Sequence, residues 1–335
     1  MQALRRRVTC RKQVGRSCTR PFCDGTQHCP DNRNSTQNPA ACIRGPRNLT
    51  LRAPLDPPLR LTVPARFFID AALSADASLD LPEGAVRHAQ VLRLQPGVPV
   101  VLFNGQGGEW SAVVAAMGRS TVRVHIVAFC DVTRELAVHV TLAVGMPANE
   151  RMDTLVEKAT ELGVAVIQPL LCARAVLRLG GERALRKVAH WQAVAAAASE
   201  QSGRTSVPRV EPVRALDEWI SGLQGGASPL GPSCAAASPA ISNPATPQRV
   251  LLSPDARAPF VPISALAAAG EGRARPLVCL SGPEGGLTDA EQACAQRWGF
   301  VPMSLGPRIL RADTAPLALL AHVALGSAAP ARGTE

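Results

Sequence analysis

Two short apolar strands, each ending in a glycine-containing turn, constrain the fold of this chain more than any other feature. Residues 277–280 predict a strand that runs into the turn 282–286 (GPEGG) and then into a helix. Residues 301–305 predict a second strand, which ends in the turn 306–308 (GPR) before a last apolar helix. Adjacent parallel strands would place both turns at one edge of a sheet, where open α/β sheets bind ligands. The segment 276–326 therefore predicts a ligand site made from two loops.

The same alternation of strands and helices begins near Leu136. Strands are predicted at 138–144, 164–171 and 250–252, and helices at 151–162 and 182–201. Thr288 and Glu291 have the spacing of a capping box, which specifies the start of the helix after the GPEGG turn. Strands that alternate with helices imply an α/β fold with a parallel sheet covered on both faces.

A smaller β-rich domain is predicted before this part of the chain, over residues 65–133. Its alternating or β-branched runs predict strands at 98–103, 109–116 and 121–129, and a short helix is predicted at 84–94. The glycines at 105–108 do not fit a dinucleotide-binding fingerprint, because Trp110 stands at the last glycine position. They are interpreted as a hairpin turn.

The basic charge of the chain is concentrated at its N-terminus. Residues 1–64 hold 12 of the 36 Lys and Arg residues but only 3 of the 26 Asp and Glu residues, so the remaining chain is nearly neutral. The composition of 1–64 predicts a basic, disordered extension. It could be an arm that binds RNA, a transit peptide, or an extension without a role. In the last case, translation could begin at Val63, from an alternative start codon. Residues 222–248 are rich in Gly, Ala, Ser and Pro and predict a flexible insertion.

The cysteines and the hydropathy pattern indicate a cytoplasmic protein without a membrane span. Cys130, Cys172, Cys234, Cys279 and Cys294 lie mostly among apolar neighbours, as buried thiols do in a reducing compartment. No run of eighteen apolar residues and no secretory h-region is present. The N-terminal cysteines lack a CxxC pair, so no metal is predicted, although a zinc site remains open for Cys10, Cys18, Cys23 and Cys29.

Four motifs in order carry a resemblance to a known family. They are KATELG at 158–163, EQSGR at 200–204, GPEGG at 282–286 and LGPRILR at 305–311. Over residues 65–330 the chain resembles the RsmE family of bacterial methyltransferases. The resemblance implies a PUA-like β-barrel at 65–133, a SPOUT-type parallel sheet with a C-terminal trefoil knot at 134–330, and a homodimer with its site at the subunit interface. It also implies S-adenosylmethionine-dependent methylation of N3 of a uridine in 16S ribosomal RNA of the small subunit.

The chain departs from the family pattern in three places. Residues 1–64 have no counterpart, and the stretch 222–248 is longer than usual. After the LGPRILR motif, Ala312 replaces the usual Thr and Asp313 stands where a Glu is common. The carboxylate is therefore kept and the hydroxyl is lost.

The resemblance assigns cofactor-binding residues to the two glycine-containing loops. They are Leu280, Gly282, Glu284, Gly285, Gly286, Leu305, Gly306, Pro307, Leu310 and Thr314. Glycine allows the backbone to approach a flat adenine closely and to bond its edge. Thr314 and Asp313 equally suit the N-cap of the last helix.

The predicted catalytic residues follow from the chemistry of the implied reaction. Uridine N3 is a poor nucleophile until it loses its proton, and a nearby cation would stabilise the resulting anion. Arg311 is the candidate for that cation, with a structural ion pair to Asp313 or Glu284 as the alternative. Glu284 either holds the pocket or takes the proton.

The predicted RNA contacts are cationic, because the chain has only 3% aromatic residues and no Tyr for stacking on bases. Arg66, Arg87 and Arg93 are assigned to the small domain, and Arg151, Lys158 and Arg204 to the surroundings of the site. Two other functions remain open from the sequence. One is a SPOUT methyltransferase that acts on a ribose 2′-hydroxyl, and the other is a non-catalytic RNA-binding factor for ribosome assembly.

Overall fold

The structure is a computed structural model, and it describes residues 64–148, 150–223, 247–255, 258–259, 269–270 and 273–327. The predicted N-terminal extension lies outside the described residues, except for Pro64, and so do its cysteines. Most of the predicted insertion, residues 224–246, also lies outside them. Gln248 belongs to a strand, so the insertion ends earlier than residue 248.

The first part of the described chain is a five-stranded sheet with one helix. Its elements are β1 (Ala65–Phe68), β2 (Ser78–Asp80), α1 (Glu83–Val91), β3 (Pro99–Phe103), β4 (Glu109–Met117) and β5 (Val122–Cys130). The strand order is β1-β3-β4-β5-β2, with β1 parallel to β3 and the other pairs antiparallel. Val86 and Ala89 of α1 share a buried core with Phe67, Leu102 and Val124 of the sheet. The three predicted strands and the helix are confirmed, whereas β1 and β2 were not predicted.

The second part alternates strands and helices. Its elements are β6 (Val140–Gly145), α2 (Arg151–Glu161), β7 (Val166–Leu171), α3 (Gly181–Ser202), β8 (Arg209–Val210), β9 (Arg214–Ala215), α4 (Leu216–Ser221), β10 (Gln248–Leu252), β11 (Ala269–Gly270), β12 (Arg273–Ala274), β13 (Leu277–Ser281), α5 (Asp289–Arg297), β14 (Val301–Met303) and α6 (Thr314–Ser327). The main sheet has the order β14-β10-β13-β6-β7-β8, and its strands are parallel. β9 also pairs with β7, while β11 and β12 form a separate two-stranded antiparallel sheet.

Both faces of the parallel sheet are buried, as its sequence pattern predicts. Leu142 and Cys279 lie on the face that packs against α2, α3 and α6. Ala143 and Leu280, the next residues along the same strands, lie in the core formed with α4 and α5. Successive side chains of a strand point to opposite faces, so strands that are apolar throughout require cover on both sides.

One prediction about the sheet is wrong. The strands before the two glycine-containing turns, β13 and β14, are not adjacent, because β10 lies between them and pairs with both. All three strands are parallel, so their carboxyl ends still lie at the same edge of the sheet. The second strand is also shorter than predicted and ends at Met303.

No helix among the described residues combines the length and the apolar character needed to cross a membrane. Within the same residues, no three His, Cys, Asp or Glu side chains are grouped in a way that could hold a metal ion. The trefoil knot stays a prediction.

Candidate functional site

A cavity of about 670 Å³ lies at the carboxyl ends of β10, β13 and β14. Three loops form most of its wall, namely residues 251–254, 281–287 and 303–312. Parallel strands end at one edge of a sheet, which brings three segments that are distant in sequence around one space. The volume is in the range of small-molecule sites. The cavity therefore lies where the two glycine-containing turns predict a ligand site, and a third loop contributes to its wall.

The loop after β13 is shaped by close packing against Arg174. A Cβ on Gly285 would lie 2.9 Å from Cβ of Arg174 and 3.1 Å from its carbonyl oxygen. Nη1 of Arg174 donates to the carbonyl oxygens of Gly285 at 3.3 Å and Leu287 at 3.4 Å. Gly286 has a φ of +68°, which glycine adopts without strain. The glycines are thus required by contacts within the protein, and not only by the approach of a ligand.

The loop after β14 turns sharply at Gly306, whose φ is +107°. The hydroxyl of Ser304 donates to the carbonyl oxygen of Gly306 at 3.1 Å, and the N–H of Gly306 lies 3.3 Å from the same hydroxyl oxygen. This turn ends the strand before Leu305. It also directs the following residues, Arg308 to Ala312, to the wall of the cavity.

Glu284 is held by the segment that connects β6 to α2. Its Oε1 accepts a hydrogen bond from the N–H of Ala148 at 2.9 Å and lies 3.5 Å from Nη1 of Arg151. Arg311 is exposed on the cavity wall and forms no ion pair with any part of the chain that the structure describes. The alternative interpretation, in which Arg311 pairs with Glu284 or Asp313, is therefore wrong for these residues.

The predicted cofactor residues divide into two groups in the structure. On the cavity wall lie Gly282, Glu284, Gly285, Gly286, Leu305 and Leu310. Leu280 is fully buried in the core behind the wall, and Gly306, Pro307 and Thr314 lie outside the lining of the cavity. Sequence reasoning missed other wall residues, among them Leu251 to Pro254, Arg174, Gln292, Met303 and Ile309. The strand and Ser-Pro turn at 250–254 could have indicated the third loop, but not that it lies between the other two.

Arg204 is one of two predicted RNA-binding arginines whose guanidinium groups instead make contacts within the protein. It is only 4% exposed and pairs with the Glu135 carboxylate. Its Nη1 donates to the carbonyl oxygens of Thr160 at 3.0 Å and Val164 at 2.8 Å, which lie at the end of α2 and just after it. This placement corrects the prediction that Arg204 contacts RNA.

Arg66 is corrected in the same way. Its side chain is 10% exposed, pairs with Glu109 and lies 5.1 Å above the ring of Phe103. Nη2 of Arg66 also donates to the carbonyl oxygen of Arg204 at 2.9 Å. Arg66 therefore joins the five-stranded sheet to the end of α3.

The remaining predicted RNA contacts are accessible. Arg87 is 72% exposed and pairs with Glu83, and Arg93 is exposed on the same domain. Arg151 is 46% exposed and lines the cavity. Lys158 lies between Glu157 and Glu161, and hydrogen bonds to these two carboxylates raise its pKa.

Two carboxylates at the junction between the small domain and the parallel-sheet domain have pKa values that are shifted in opposite directions. Glu109 accepts hydrogen bonds from Arg134 and Arg66, which lower its pKa despite burial. Glu200 accepts the N–H of Phe68 at 2.8 Å, but burial raises its pKa overall. The EQSGR motif therefore contributes to the contact between domains, through Glu200 and Arg204.

Two family models agree with this architecture. The model described as an RNA methyltransferase domain matches residues 134–324, and the model described as an RNA methyltransferase PUA domain matches residues 81–127. These matches place the chain in the class of SPOUT-type RNA methyltransferases with a PUA domain, and the parallel sheet with a cavity at its carboxyl edge is consistent with that class.

Named relatives narrow this class. The chain is 29% identical over 241 residues to ribosomal RNA small subunit methyltransferase E of Bacillus subtilis (strain 168), covering 71% of this chain and 86% of the relative. It is 31% identical over 249 residues to the protein of that name from Synechocystis sp., covering 74% and 73%. The chain belongs to the ribosomal RNA small subunit methyltransferase E family.

Solved structures agree with this membership. A ribosomal RNA small subunit methyltransferase E from Neisseria gonorrhoeae, bound to S-adenosyl methionine, is 30% identical with a TM-score of 0.64, covering 77% of this chain and 95% of that chain. A methyltransferase from Legionella pneumophila, in complex with the bound cofactor SAM, is 26% identical with a TM-score of 0.66, covering 78% and 98%.

Proposed function

We propose that this protein uses S-adenosylmethionine to methylate N3 of a uridine in 16S ribosomal RNA of the small subunit. The cavity formed by the GPEGG and LGPRILR loops carries the proposal, because it joins both family motifs around one space of ligand size. The relative from Neisseria gonorrhoeae, with its bound S-adenosyl methionine, supports the choice of cofactor. We assign residues 65–133 to RNA binding and residues 134–330 to catalysis.

The residues of the cavity fit this cofactor. Leu251, Met303, Leu305 and Leu310 give the wall an apolar surface for an adenine ring, and the backbone of the glycine-rich loop supplies polar groups at the same wall. When bound, S-adenosylmethionine supplies an electrophilic methyl group on a sulfonium. The protein's part is to hold donor and acceptor in line, which can lower the barrier by about 7–11 kcal/mol.

Arg311 and Glu284 are the proposed catalytic residues. The guanidinium of Arg311 is on the wall and free of ion pairs to described residues, so it can stabilise negative charge on a uracil oxygen after N3 loses its proton. Both contacts that the Glu284 carboxylate makes with the described residues use Oε1. Oε2 is therefore the atom that we propose to accept the N3 proton.

RNA and a second subunit are the proposed partners. Arg87, Arg93, Arg151 and Lys158 are the accessible cations that we assign to phosphates of the small subunit. The proposed location of the protein is the cytoplasm. Two apolar side chains, Ile309 and Leu325, are 83% and 80% exposed, on the LGPRILR loop and on α6. A homodimer interface there would cover them and lie beside the cavity.

The test is to incubate the protein with methyl-labelled S-adenosylmethionine and small subunits from a strain that lacks this family's enzyme. Mass spectrometry of the RNA should find one methyl on a uracil base. A ribose methyl would support a 2′-O-methyltransferase, and no methyl together with no cofactor binding would support an assembly factor. Either result would refute the proposal.

Replacing Arg311 tests the mechanism directly. We expect Arg311→Ala to lower methyl transfer by about 10²-fold or more, as loss of an oxyanion-stabilising donor does, while cofactor binding and the oligomeric state are kept. Arg297→Ala is the matched control, because Arg297 is exposed on α5 and lies on no wall of the cavity. Full activity of Arg311→Ala would remove Arg311 from the mechanism.

A further inference from the structure

A second, open groove of about 810 Å³ lies next to the cofactor cavity. It is lined by Ala148, Glu150, Arg151, Val176, Lys187 and Glu284. Arg151 and Glu284 belong to the walls of both spaces, so the groove and the cavity meet at this ion pair. A ligand in the groove would therefore extend directly to the site where the methyl group is transferred.

Two charged groups in this groove form no ion pair with the described residues of the protein. Arg151 and Glu284 pair with each other, but Lys187 and Glu150 form no ion pair within the described part of the chain. The oxygens of the nearby Asp153 are engaged instead by His190 and Trp191, each at 2.8 Å. The charge of Lys187 helps to lower the pKa of Asp153, but Lys187 makes no ion pair with it. The groove thus presents one ammonium and one carboxylate that are each without an ion pair to the described residues.

The groove also offers an apolar surface. Val176 is 74% exposed, although it follows a strand of the buried sheet. A valine in this position has no partner in its own core, and it can cover the face of a ribose or a base. A cation, a carboxylate and an apolar face are together complementary to a nucleotide, which carries a phosphate, hydroxyl donors and a flat base.

We propose that this groove binds the ribose-phosphate of the target nucleotide, with Lys187 on its phosphate and Glu150 accepting a hydrogen bond from its 2′-hydroxyl. The inference rests on the proposed function and adds the site for the RNA. Sequence-specific proteins usually bind RNA bases that are splayed out from single strands, and the 2′-hydroxyl distinguishes RNA from DNA. With the sugar in the groove, the base would reach past Arg151 and Glu284 into the cavity.

The amino-acid end of S-adenosylmethionine is the competing occupant, since it also carries one positive and one negative group. The size of the groove favours the nucleotide. A volume of about 810 Å³ is that of a site for a whole small ligand, which is far more than a short amino-acid tail fills. A change in the groove would alter the affinity for RNA if a nucleotide binds there, and the affinity for S-adenosylmethionine if its amino-acid end binds there.

The test compares Lys187→Gln with Arg186→Gln. Arg186 is the neighbour on α3, is 77% exposed, pairs with Glu182 and lines neither space. With the full-length protein and small subunits as the probe, we expect Lys187→Gln to raise KM for the subunits about tenfold, the usual worth of a hydrogen bond to a charged group. The slope of log binding constant against log salt should fall by about 0.7–0.9, corresponding to one lost phosphate contact.

The cofactor affinity, measured by titration calorimetry, should stay within twofold of wild type in both variants. Weaker cofactor binding by Lys187→Gln with an unchanged KM for subunits would assign the groove to the amino-acid end and overturn the proposal. Equal behaviour of the two variants would also overturn it. If the wild-type protein transfers no methyl group at all, the proposed function fails first, and the salt slope still tests the groove.

Discussion

At the scale of single residues, the glycines of the GPEGG loop are needed for different physical reasons. Gly286 provides a positive φ, and a Cβ there would meet nothing within 4 Å. Gly282 and Gly285 instead allow close packing, against Leu287 and Arg174. The packing of Gly285 matters for the site, because Arg174 also holds two carbonyl groups of the same loop.

Gly285→Ala should therefore weaken cofactor binding, because its added methyl group would press against Arg174. Its methyl group would force the backbone of Arg174 or of the loop to move, and such overpacking costs about 1–3 kcal/mol. We expect a tenfold or larger loss of S-adenosylmethionine affinity in titration calorimetry, together with a lower Tm. The control is Gly84→Ala in α1, where a Cβ meets nothing and Ala stabilises a helix by about 0.5–1 kcal/mol. Unchanged affinity in Gly285→Ala would show that the loop tolerates the shift.

Arg204 shows what a single sequence does not reveal about a charged residue. The run EQSGR looked like a cationic RNA contact, but the guanidinium is buried against Glu135 and the carbonyl groups around the end of α2. Burial depends on which segments pack over the residue, and Glu135 is far away in sequence. Arg87, by contrast, is exposed, as a contact to RNA requires.

At the scale of elements, local patterns predicted most strands and helices but not their arrangement. The apolar runs and the Thr288 capping box are encoded within a few residues, so β13 and α5 were found. The position of β10 between β13 and β14 depends on pairing between distant segments, which no local pattern specifies. For the same reason the site was predicted with two loops, and the loop after β10 was missed.

Helix α5 gives an element-scale prediction through its capping box. The Thr288 side chain accepts the N–H of Glu291, and the Glu291 carboxylate accepts the N–H of Thr288. Thr288→Ala should lower the free energy of unfolding by about 1 kcal/mol in urea titrations. Its cofactor affinity should stay unchanged, because Thr288 does not line the cavity.

Glu291→Ala should have the wider effect. Its Oε1 also accepts the N–H of Ala173 at 2.8 Å, next to Arg174, so the change releases the connection after β7 as well as the cap. We expect a stability loss larger than that of Thr288→Ala and a measurable loss of cofactor affinity. Identical affinities for the two variants would show that Glu291 acts only as a helix cap.

At the scale of the whole molecule, the net charge of the chain after its N-terminal segment provides almost no attraction for RNA. Residues 65–335 carry 24 Lys and Arg against 23 Asp and Glu, so the folded domains have almost no net charge. Binding must come from local cations, and burial removes Arg66 and Arg204 from that set. The cations that remain, Arg87, Arg93, Arg151 and Lys158, lie on both domains. The geometry of the junction between the domains therefore decides whether they act on one RNA.

The stability of the junction should depend on pH, because the pKa values of two of its carboxylates are shifted in opposite directions. Glu109 has a pKa lowered from 4.5 by Arg134 and Arg66, so its stabilising contribution is present above pH 4.5 and is lost as the pH falls through the lowered value. Glu200 has a pKa raised from 4.5 by burial. Its favourable contribution is present below pH 4.5 and is lost as the pH rises through the raised value. The two effects overlap in acid and cannot be separated in the wild-type protein.

Two variants separate these contributions. Glu109→Gln should lower the free energy of unfolding at neutral pH by about 2 kcal/mol, less than a fully buried pair costs because Arg134 is half exposed. Glu200→Gln keeps an acceptor for the N–H of Phe68 and removes the buried charge. It should therefore be at least as stable as wild type at neutral pH, and its stability should fall less between pH 4.5 and neutrality. Urea unfolding at a series of pH values measures both, and a steeper fall in Glu200→Gln would show that the buried carboxylate stabilises the junction when it is ionised.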